Sequence, residues 1–348
     1  MKAYISPVHD HHWSGNALVR GRLQPHHDRQ GRGREVLAAL QDLQLTCHYV
    51  SPQPLPVPEL TQIHDANYLE FLRTAWQRWS QLTDASFELR PNIWPNHHFP
   101  TMRGSSIVAQ AGRYLGDEAT PIVADTWQNI TSSVETSAAA AQALIDCNGS
   151  ESVYTLVRPA GHHAMSDMGQ GGCLLANTAI AVQRLRSRWG KIAVLDIDVH
   201  HGNGTQQIFY DRDDVLTVSI HGNPEVLFPF ICGYAEETGR DAGEGFNLNL
   251  PLAAGTEMAG YRPAFEKALQ RIHDFGADAI VIAAGYDTFR GDPFGNLCLD
   301  TPDYAALGQG IASLQRPTLF MQEGGYVIEA LRANTRSLLE GYLQGGRK

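Results

Sequence analysis

The stretch AVLDIDVHHGNG, residues 193–204, places carboxylate and imidazole side chains directly after a run of apolar residues. The apolar start predicts a buried strand over residues 192–197. Alternate residues of a strand share one face, so Asp196, Asp198 and His200 would point to the same side. Charged groups are rarely buried without a partner or a metal. The stretch therefore favours a divalent metal site, and a carboxylate pair that caps backbone amides is the alternative.

The second half of the chain repeats this pattern of short apolar runs. Further strands are predicted over residues 153–157, 215–220, 279–284 and 318–321, with helical patterns over 258–275 and 301–313. Such alternation is typical of an α/β protein in which crossover helices bury both faces of a parallel sheet.

The first half of the chain is less regular but of the same kind. Its patterns predict strands over residues 3–5 and 121–124 and helices over 35–43, 67–79 and 127–145. Residues 81–104 show no periodicity, and a loop of this length is usually functional or interfacial. Because no linker divides the chain, we expect a single catalytic domain over residues 1–348 with an inserted loop at about 81–120.

Composition limits the classes of partner. The chain has 27 basic and 37 acidic residues, a net charge of −10, and no block of Lys or Arg. This disfavours nucleic acid and is compatible with a small cationic partner. Its five cysteines form no C-x-x-C pair, and no apolar run approaches the ~20 residues of a membrane span. We therefore expect a cytoplasmic protein with neither disulfides nor a membrane anchor.

Polar residues also follow the other predicted strands. His162 and His163 follow the strand predicted at 153–157, and Asp287 follows the one at 279–284. The segment EGGY, which ends at Tyr326, follows the strand predicted at 318–321. Ligands of open α/β sheets bind beyond the carboxyl ends of the strands, so these segments are expected to converge. Asp287 is the candidate for a third metal ligand. The alternative role of Asp287 is that of an Asx-turn residue. Asp292, in a Gly-Asp-Pro turn, is a weaker candidate for the third ligand.

Four motifs carry a family resemblance: RPAGHHA at 158–164, LDIDVHHGNGTQ at 195–206, GYDTF at 285–289 and EGGY at 323–326. Together they resemble the zinc-dependent deacetylase superfamily. Within it, HDANYLEFLRTAWQRW from His64 and FPFICGYAEETG from Phe228 are similar to bacterial acetylpolyamine amidohydrolases. The resemblance implies an arginase-like open parallel sheet flanked by helices. It also implies one zinc ion per chain, held by Asp198, His200 and Asp287.

The resemblance further implies roles for residues around the metal. Asp196 would lie behind His162, Asn203 beside His163, and Tyr326 would face the amide carbonyl. We expect His163 to be the general base, because an anionic partner favours the charged form of His162 whereas Asn203 is neutral.

Two further features follow from the resemblance. One is a homodimer formed through the inserted loop. The other is a structural K⁺ ion, which would lie near Asp196, Asp198, His200 and Ser219.

The expected substrate-binding residues depart from the family pattern. Phe228 matches one of two aromatic rings that flank the substrate in many relatives, whereas Gly172, next to Gly171, stands where the other would be. The expected tunnel is wider, admitting a bulkier acyl group or amine, unless a ring from elsewhere fills it. Asp117 and Glu118 are candidates for holding a distal ammonium, with solvated helix-end acids as the alternative.

The sequence as a whole predicts a zinc-dependent amidohydrolase that acts on N-acetylated polyamines or related small acylated amines. Three alternatives stay open: a deacylase of acyl-lysine in proteins or of a small amide with a bulkier acyl group, a non-catalytic acyl-amine-binding protein, and an arginase-type manganese hydrolase. A deep site closed by residues 81–104 and a second subunit would favour small amines, and an open rim would favour peptides. The choice between zinc and iron in the cell also stays open.

Overall fold

A computed structural model describes residues 1–10, 16–19, 21–26, 28–51, 54–98 and 105–346. Its strands are β1 (Lys2–Ile5), β2 (Asn16–Val19), β3 (Arg22–Pro25), β4 (Thr46–Tyr49), β5 (Val153–Leu156), β6 (Ile192–Asp196), β7 (Val215–Gly222), β8 (Asn247–Leu252), β9 (Ala279–Ala284) and β10 (Thr318–Gln322). Eight of them form one sheet in the order β4-β1-β5-β10-β9-β6-β7-β8, and every neighbouring pair is parallel. Strands β2 and β3 form a separate antiparallel pair.

Helices cover both faces of this sheet. They are α1 (Arg32–Asp42), α2 (Val57–Leu60), α3 (Ala66–Trp79), α4 (Ile107–Tyr114), α5 (Thr126–Asp146), α6 (Asn177–Leu185), α7 (Asn203–Phe209), α8 (Met258–Phe275), α9 (Thr301–Ser313) and α10 (Ile328–Gly345). Alternate strand residues enter opposite cores: Val281 packs in the core with α3, α5 and α6, and Ile282 in the core with α1, α8, α9 and α10. Burial on both faces explains why the central strands β5, β6, β9 and β10 read as largely apolar runs.

The architecture confirms the predicted α/β class and five strands of the second half. The predicted strand at 121–124 is wrong, because Ile122 forms only a single antiparallel bridge with Leu89. Val123 donates its amide to the hydroxyl of Thr126, the first residue of α5, at 2.8 Å. This segment therefore leads into a helix. Within the described part of residues 81–104, no helix or strand forms.

No helix among the described residues has both the length and the apolar character required to cross a bilayer. The single-domain organisation stays a prediction.

Candidate active site

The sheet order brings the polar strand ends together. Strands β5, β10, β9 and β6 are consecutive neighbours and run parallel, so their carboxyl ends lie along one edge. The segments that follow these strands contain His162 and His163, Tyr326, Asp287, and the pair Asp198 and His200. The convergence expected from the sequence thus follows from the topology.

Asp198, His200 and Asp287 form the centre of this site. One ligand atom from each lies within 4.8 Å of the others. Nδ1 of His200 is 3.1 Å from Oδ1 of Asp198 and 3.3 Å from Oδ2 of Asp287. Both carboxylates are fully buried, and His200 is 9% exposed. Two carboxylates and one imidazole are a donor set that fits a divalent cation.

Backbone amides fix the orientation of the two carboxylates. Asp198 accepts hydrogen bonds from the amides of His200 and Gly324, both at 2.9 Å, and Oδ1 of Asp287 accepts one from Val199 at 2.8 Å. A Cβ atom on Gly324 would lie 2.2 Å from Oδ2 of Asp287, so only glycine fits there. The backbone therefore holds the acidic groups together from several directions.

The pKa values of the cluster show that its two buried carboxylates favour a positive charge beside them. Burial and the neighbouring Asp198 raise the pKa of Asp287 to about 7. Burial disfavours charge on His200 as well, but contacts with Asp198 and Asp287 raise its pKa to about 10. Apart from the 3.3 Å contact with Nδ1 of His200, Oδ2 of Asp287 is buried without a hydrogen-bond partner. Buried oxygens normally have a partner, so this atom fits the role of a metal ligand.

The tandem histidines lie beside this cluster. Nδ1 of His162 is 2.9 Å from Oδ2 of Asp196, and Nδ1 of His163 is 2.7 Å from Oδ1 of Asn203. Burial opposes charge on His162, but Asp196 and Asp198 raise its pKa well above its usual value. Burial and the neighbouring His162 and His200 lower the pKa of His163. The two rings therefore favour opposite protonation states.

Glu323 braces the histidine turn, a contact that sequence reasoning missed. Its buried carboxylate accepts hydrogen bonds from the amides of Gly161 at 2.8 Å and His162 at 3.3 Å, and from the hydroxyl of Thr178 at 3.0 Å. Burial raises its pKa to about 7. The signal available in the sequence was an acid placed directly after the apolar run of β10.

The loop of Tyr326 is held from two sides. Its amide donates to Oδ2 of Asp292 at 2.7 Å, which makes Asp292 a loop anchor; the cluster of possible metal ligands does not include it. Arg32 donates to the carbonyls of Gly325 at 2.6 Å and Glu323 at 2.9 Å, and its guanidinium lies 4.6 Å from the centre of the tyrosine ring. Arg32 was not recognised from the sequence.

Arg32 is itself fixed by a buried ion-pair network. Asp28 pairs with Arg32, and its Oδ1 accepts a hydrogen bond from Nε of Arg158 at 2.7 Å. Burial opposes ionisation of Asp28, but Arg158 and Arg32 hold its pKa well below the usual range. The network connects α1 to the segment before the tandem histidines.

A wall of two glycines adjoins His163 and Phe228. The rings of His163 and Phe228 meet edge to face, with centroids 4.9 Å apart. Both Gly171 and Gly172 have positive φ, at 58° and 77°. A Cβ on Gly171 would lie 2.4 Å from Cδ2 of His163 and 3.0 Å from Phe228, whereas one on Gly172 would meet no atom within 4 Å. We call this pair, Gly171 and Gly172, the glycine wall.

Asp117 and Thr120 fix the backbone of the glycine wall through hydrogen bonds. It accepts hydrogen bonds from the amide of Gly171 at 2.6 Å, the amide of Ala119 at 3.0 Å and the hydroxyl of Thr120 at 2.8 Å. Thr120 in turn accepts from the amide of Gly172 at 2.9 Å. Asp117 is thus bonded inside the protein, in contrast to a solvated helix-end acid.

Two other predicted site residues lie outside these contacts. Glu118 is half-buried, and its backbone carbonyl accepts a hydrogen bond from Arg90. The hydroxyl of Ser219 pairs with Nδ1 of His221 at 2.8 Å. A contact of Asp117 or Glu118 with substrate stays a prediction.

Comparison with known proteins gives the same picture. The model of the histone deacetylase domain matches residues 26–342. The chain is 38% identical to acetylpolyamine amidohydrolase 2 of Pseudomonas aeruginosa, over 98% of each chain. It is 37% identical to the acetylpolyamine amidohydrolase of Mycoplana ramosa, over 98% of this chain and 99% of that one.

Solved structures extend the likeness to the fold. A crystal structure of an acetylpolyamine aminohydrolase from Burkholderia pseudomallei superposes with a TM-score of 0.94 at 36% identity, covering 98% of both chains. This superposition confirms the predicted deacetylase-like sheet architecture. The shared fold, the matched residues and the polar strand ends agree, so this chain belongs to the histone deacetylase domain family.

Proposed function

We propose that this protein is a zinc-dependent amidohydrolase that releases a carboxylate, chiefly acetate, from N-acetylated polyamines and related small acylated amines. The observation that carries the proposal is the buried cluster of Asp198, His200 and Asp287 beside two histidines. The names of the similar enzymes from Pseudomonas aeruginosa and Mycoplana ramosa support the substrate class.

Asp198, His200 and Asp287 would hold the zinc ion. Three protein ligands are the number typical of catalytic zinc sites. When bound, zinc supplies a Lewis acid that polarises the amide carbonyl and lowers the pKa of water. Zinc in preference to iron, the K⁺ ion near Ser219, the homodimer and the cytoplasmic location stay predictions.

In this proposal, His163 takes a proton from the attacking water. Its Nδ1–H donates to Oδ1 of Asn203, so the neutral ring keeps an unprotonated Nε2 as the acceptor. Its lowered pKa keeps this ring neutral near pH 7. A base of this kind is in the active form at the pH where hydrolysis takes place.

His162 and Tyr326 stabilise negative charge that develops on the carbonyl oxygen. His162 is held by Asp196 in its charged form, which favours a growing oxyanion nearby. Tyr326 donates a hydrogen bond to the same oxygen, from a loop fixed by Asp292 and Arg32. Donors that are already oriented require no reorganisation as the charge appears.

The test combines metal content with a substrate panel. Purified protein of measured zinc content should hydrolyse acetylputrescine, acetylcadaverine or acetylspermidine faster than an acetyl-lysine peptide. Chelation, and the variant Asp198→Ala, should remove both zinc and turnover, whereas Asp274→Asn on the exposed end of α8 should keep both. Preference for the peptide would favour a protein deacylase. Binding of the acetylamines without turnover by the zinc-loaded protein would favour a non-catalytic binding protein.

A further inference from the structure

We propose that the site also accepts acyl amides whose amine half carries an aromatic ring, with the ring lying beside Phe228 and over the backbone of the glycine wall. This inference rests on the proposed amidohydrolase function and extends its substrate class. It concerns the half of the substrate that leads away from the metal ligands.

At Gly172 the glycine wall borders open space. Gly171 approaches His163 and Phe228 closely, so the wall lies against the reacting end of the site. The next residue, Gly172, is half-buried, and a Cβ there would meet nothing within 4 Å. The surface that begins at Gly171, beside Phe228, and continues through Gly172 is therefore bare backbone next to open volume.

The direction from the metal ligands to solvent assigns this volume to the amine half. Asp198 and Asp287 are fully buried and Phe228 is half-buried, whereas Phe230 is 46% exposed and Ile231 is 79% exposed. The acyl carbon must lie at the buried end, where the proposed base and oxyanion donor are. The amine half then passes Phe228 toward Phe230 and Ile231.

The groups along this path favour an aromatic occupant. The rings of Phe228 and Phe230 meet edge to face at 6.4 Å and 88°, and aromatic rings favour such edge-to-face contacts with one another. Asp117, the carboxylate behind the wall, already accepts three hydrogen bonds from protein groups. The two phenylalanine rings therefore offer apolar contact along this path.

The wall also keeps its shape without a side chain. The amide of Gly171 donates a hydrogen bond to Asp117 and that of Gly172 donates one to Thr120, so the backbone of the wall is fixed. Paired backbone hydrogen bonds between Gln170 and Cys173, at 3.0 and 2.9 Å, close the turn, so it presents a fixed peptide surface that a ring can cover without displacing protein atoms. A slender polymethylene chain would leave part of this surface in contact with water.

The test uses two neutral acetamides of different width, N-acetyl-2-phenylethylamine and N-acetylbutylamine, with N-acetylputrescine as the reference substrate. The zinc-loaded parent should have a kcat/KM for the phenylethyl amide at least equal to that for the butyl amide. In Gly172→Phe the ratio of the two should fall by about tenfold or more, as expected when bulk is added to a fitted site.

Matched variants separate bulk from backbone strain. Gly172→Ala imposes the same positive φ of 77° without a ring, so its ratio should stay close to that of the parent. Gly276→Phe, at the end of α8 with φ 69° and open space around it, controls for a new exposed ring. Melting temperatures of all variants show whether any has lost its fold.

Two results would overturn the inference while leaving the function intact. One is a parent that hydrolyses acetylputrescine but handles the phenylethyl amide at least about tenfold less well than the butyl amide. The other is a Gly172→Phe variant, folded as judged by its melting temperature, with the same ratio as the parent. If none of the three amides is hydrolysed, the result would instead contradict the proposed function.

Discussion

Replacing Gly171 by alanine should damage catalysis far more than replacing its neighbour Gly172. Both residues have positive φ, so both alanine variants pay the cost of left-handed backbone, about 1–2 kcal/mol. Only at Gly171 does the new methyl group meet protein atoms. It would lie 2.4 Å from Cδ2 of His163, roughly 1 Å short of normal contact between carbon atoms.

The magnitude follows from what has to move. His163 is held by Asn203 at 2.7 Å and packs against Phe228, so the ring can yield only by giving up one of these contacts. A misplacement of about 1 Å in a reacting group can cost about 10²-fold in rate. We therefore expect kcat for acetylputrescine to fall about 100-fold in Gly171→Ala and less than about fivefold in Gly172→Ala.

The assay is steady-state hydrolysis by both variants at equal zinc content, together with their melting temperatures. Because the backbone cost is shared, the two melting temperatures should fall by similar amounts, with any excess in Gly171→Ala reporting the collision. Equal kcat values for the two variants would refute the reasoning that the glycine wall sets the position of His163.

Three further outcomes are expected. Tyr326→Phe should keep its zinc and lose about 10²- to 10³-fold in kcat, because one oxyanion donor is removed; an unchanged kcat would exclude Tyr326 from the reaction. Asn203→Asp places a negative charge beside His163, so the acid limb of the kcat/KM profile should move to higher pH, and a shift to lower pH would contradict the assignment of His163 as base. Burial lowers the pKa of His64 to about 4, below the value of about 6.5 of an unfolded chain, so the unfolded state takes up the proton first as the pH falls. Between pH 7 and 5 this should reduce the free energy of unfolding by about 2 kcal/mol, a loss that urea titration should find diminished in His64→Gln.

The parts of the site that are local in the sequence were predictable. The strand before Asp198 is a continuous apolar run, and its polar end marks the edge of the sheet where ligands bind. The same pattern before His162, Asp287 and Tyr326 predicts that these segments meet. Parallel strands leave few other arrangements, so the convergence needed no knowledge of the loops.

The contacts that support the site could not be predicted, because they join residues that are far apart in the chain. Arg32 contacts Glu323 and Gly325 across almost 300 positions, 291 and 293 residues away. Asp28 lies in an irregular segment whose sequence has no periodicity that would place it beside Arg158. Such contacts depend on how α1 packs on the sheet, which no local pattern encodes.

Residue composition predicted two segments incorrectly, strand β8 and residues 121–124. Strand β8, Asn247–Leu252, contains two asparagines and a proline and was missed, because an edge strand tolerates residues that a central strand excludes. The apolar segment 121–124 predicts a strand, but the amide of Val123 donates to the hydroxyl of Thr126 at the start of α5. A short apolar run by itself does not distinguish a strand from the approach to a helix.

The ion pairs of Asp28 and Arg32 make the tyrosine loop dependent on the opposite end of the polypeptide. A fragment that starts after α1 would carry all four family motifs and still lack the side chain that supports Gly325. Chimeras between relatives should therefore exchange Asp28, Arg32 and Arg158 as one set together with the Tyr326 loop. A division of the chain between α1 and β5 would separate Asp28 and Arg32 from Arg158 and Gly325, the residues that they contact.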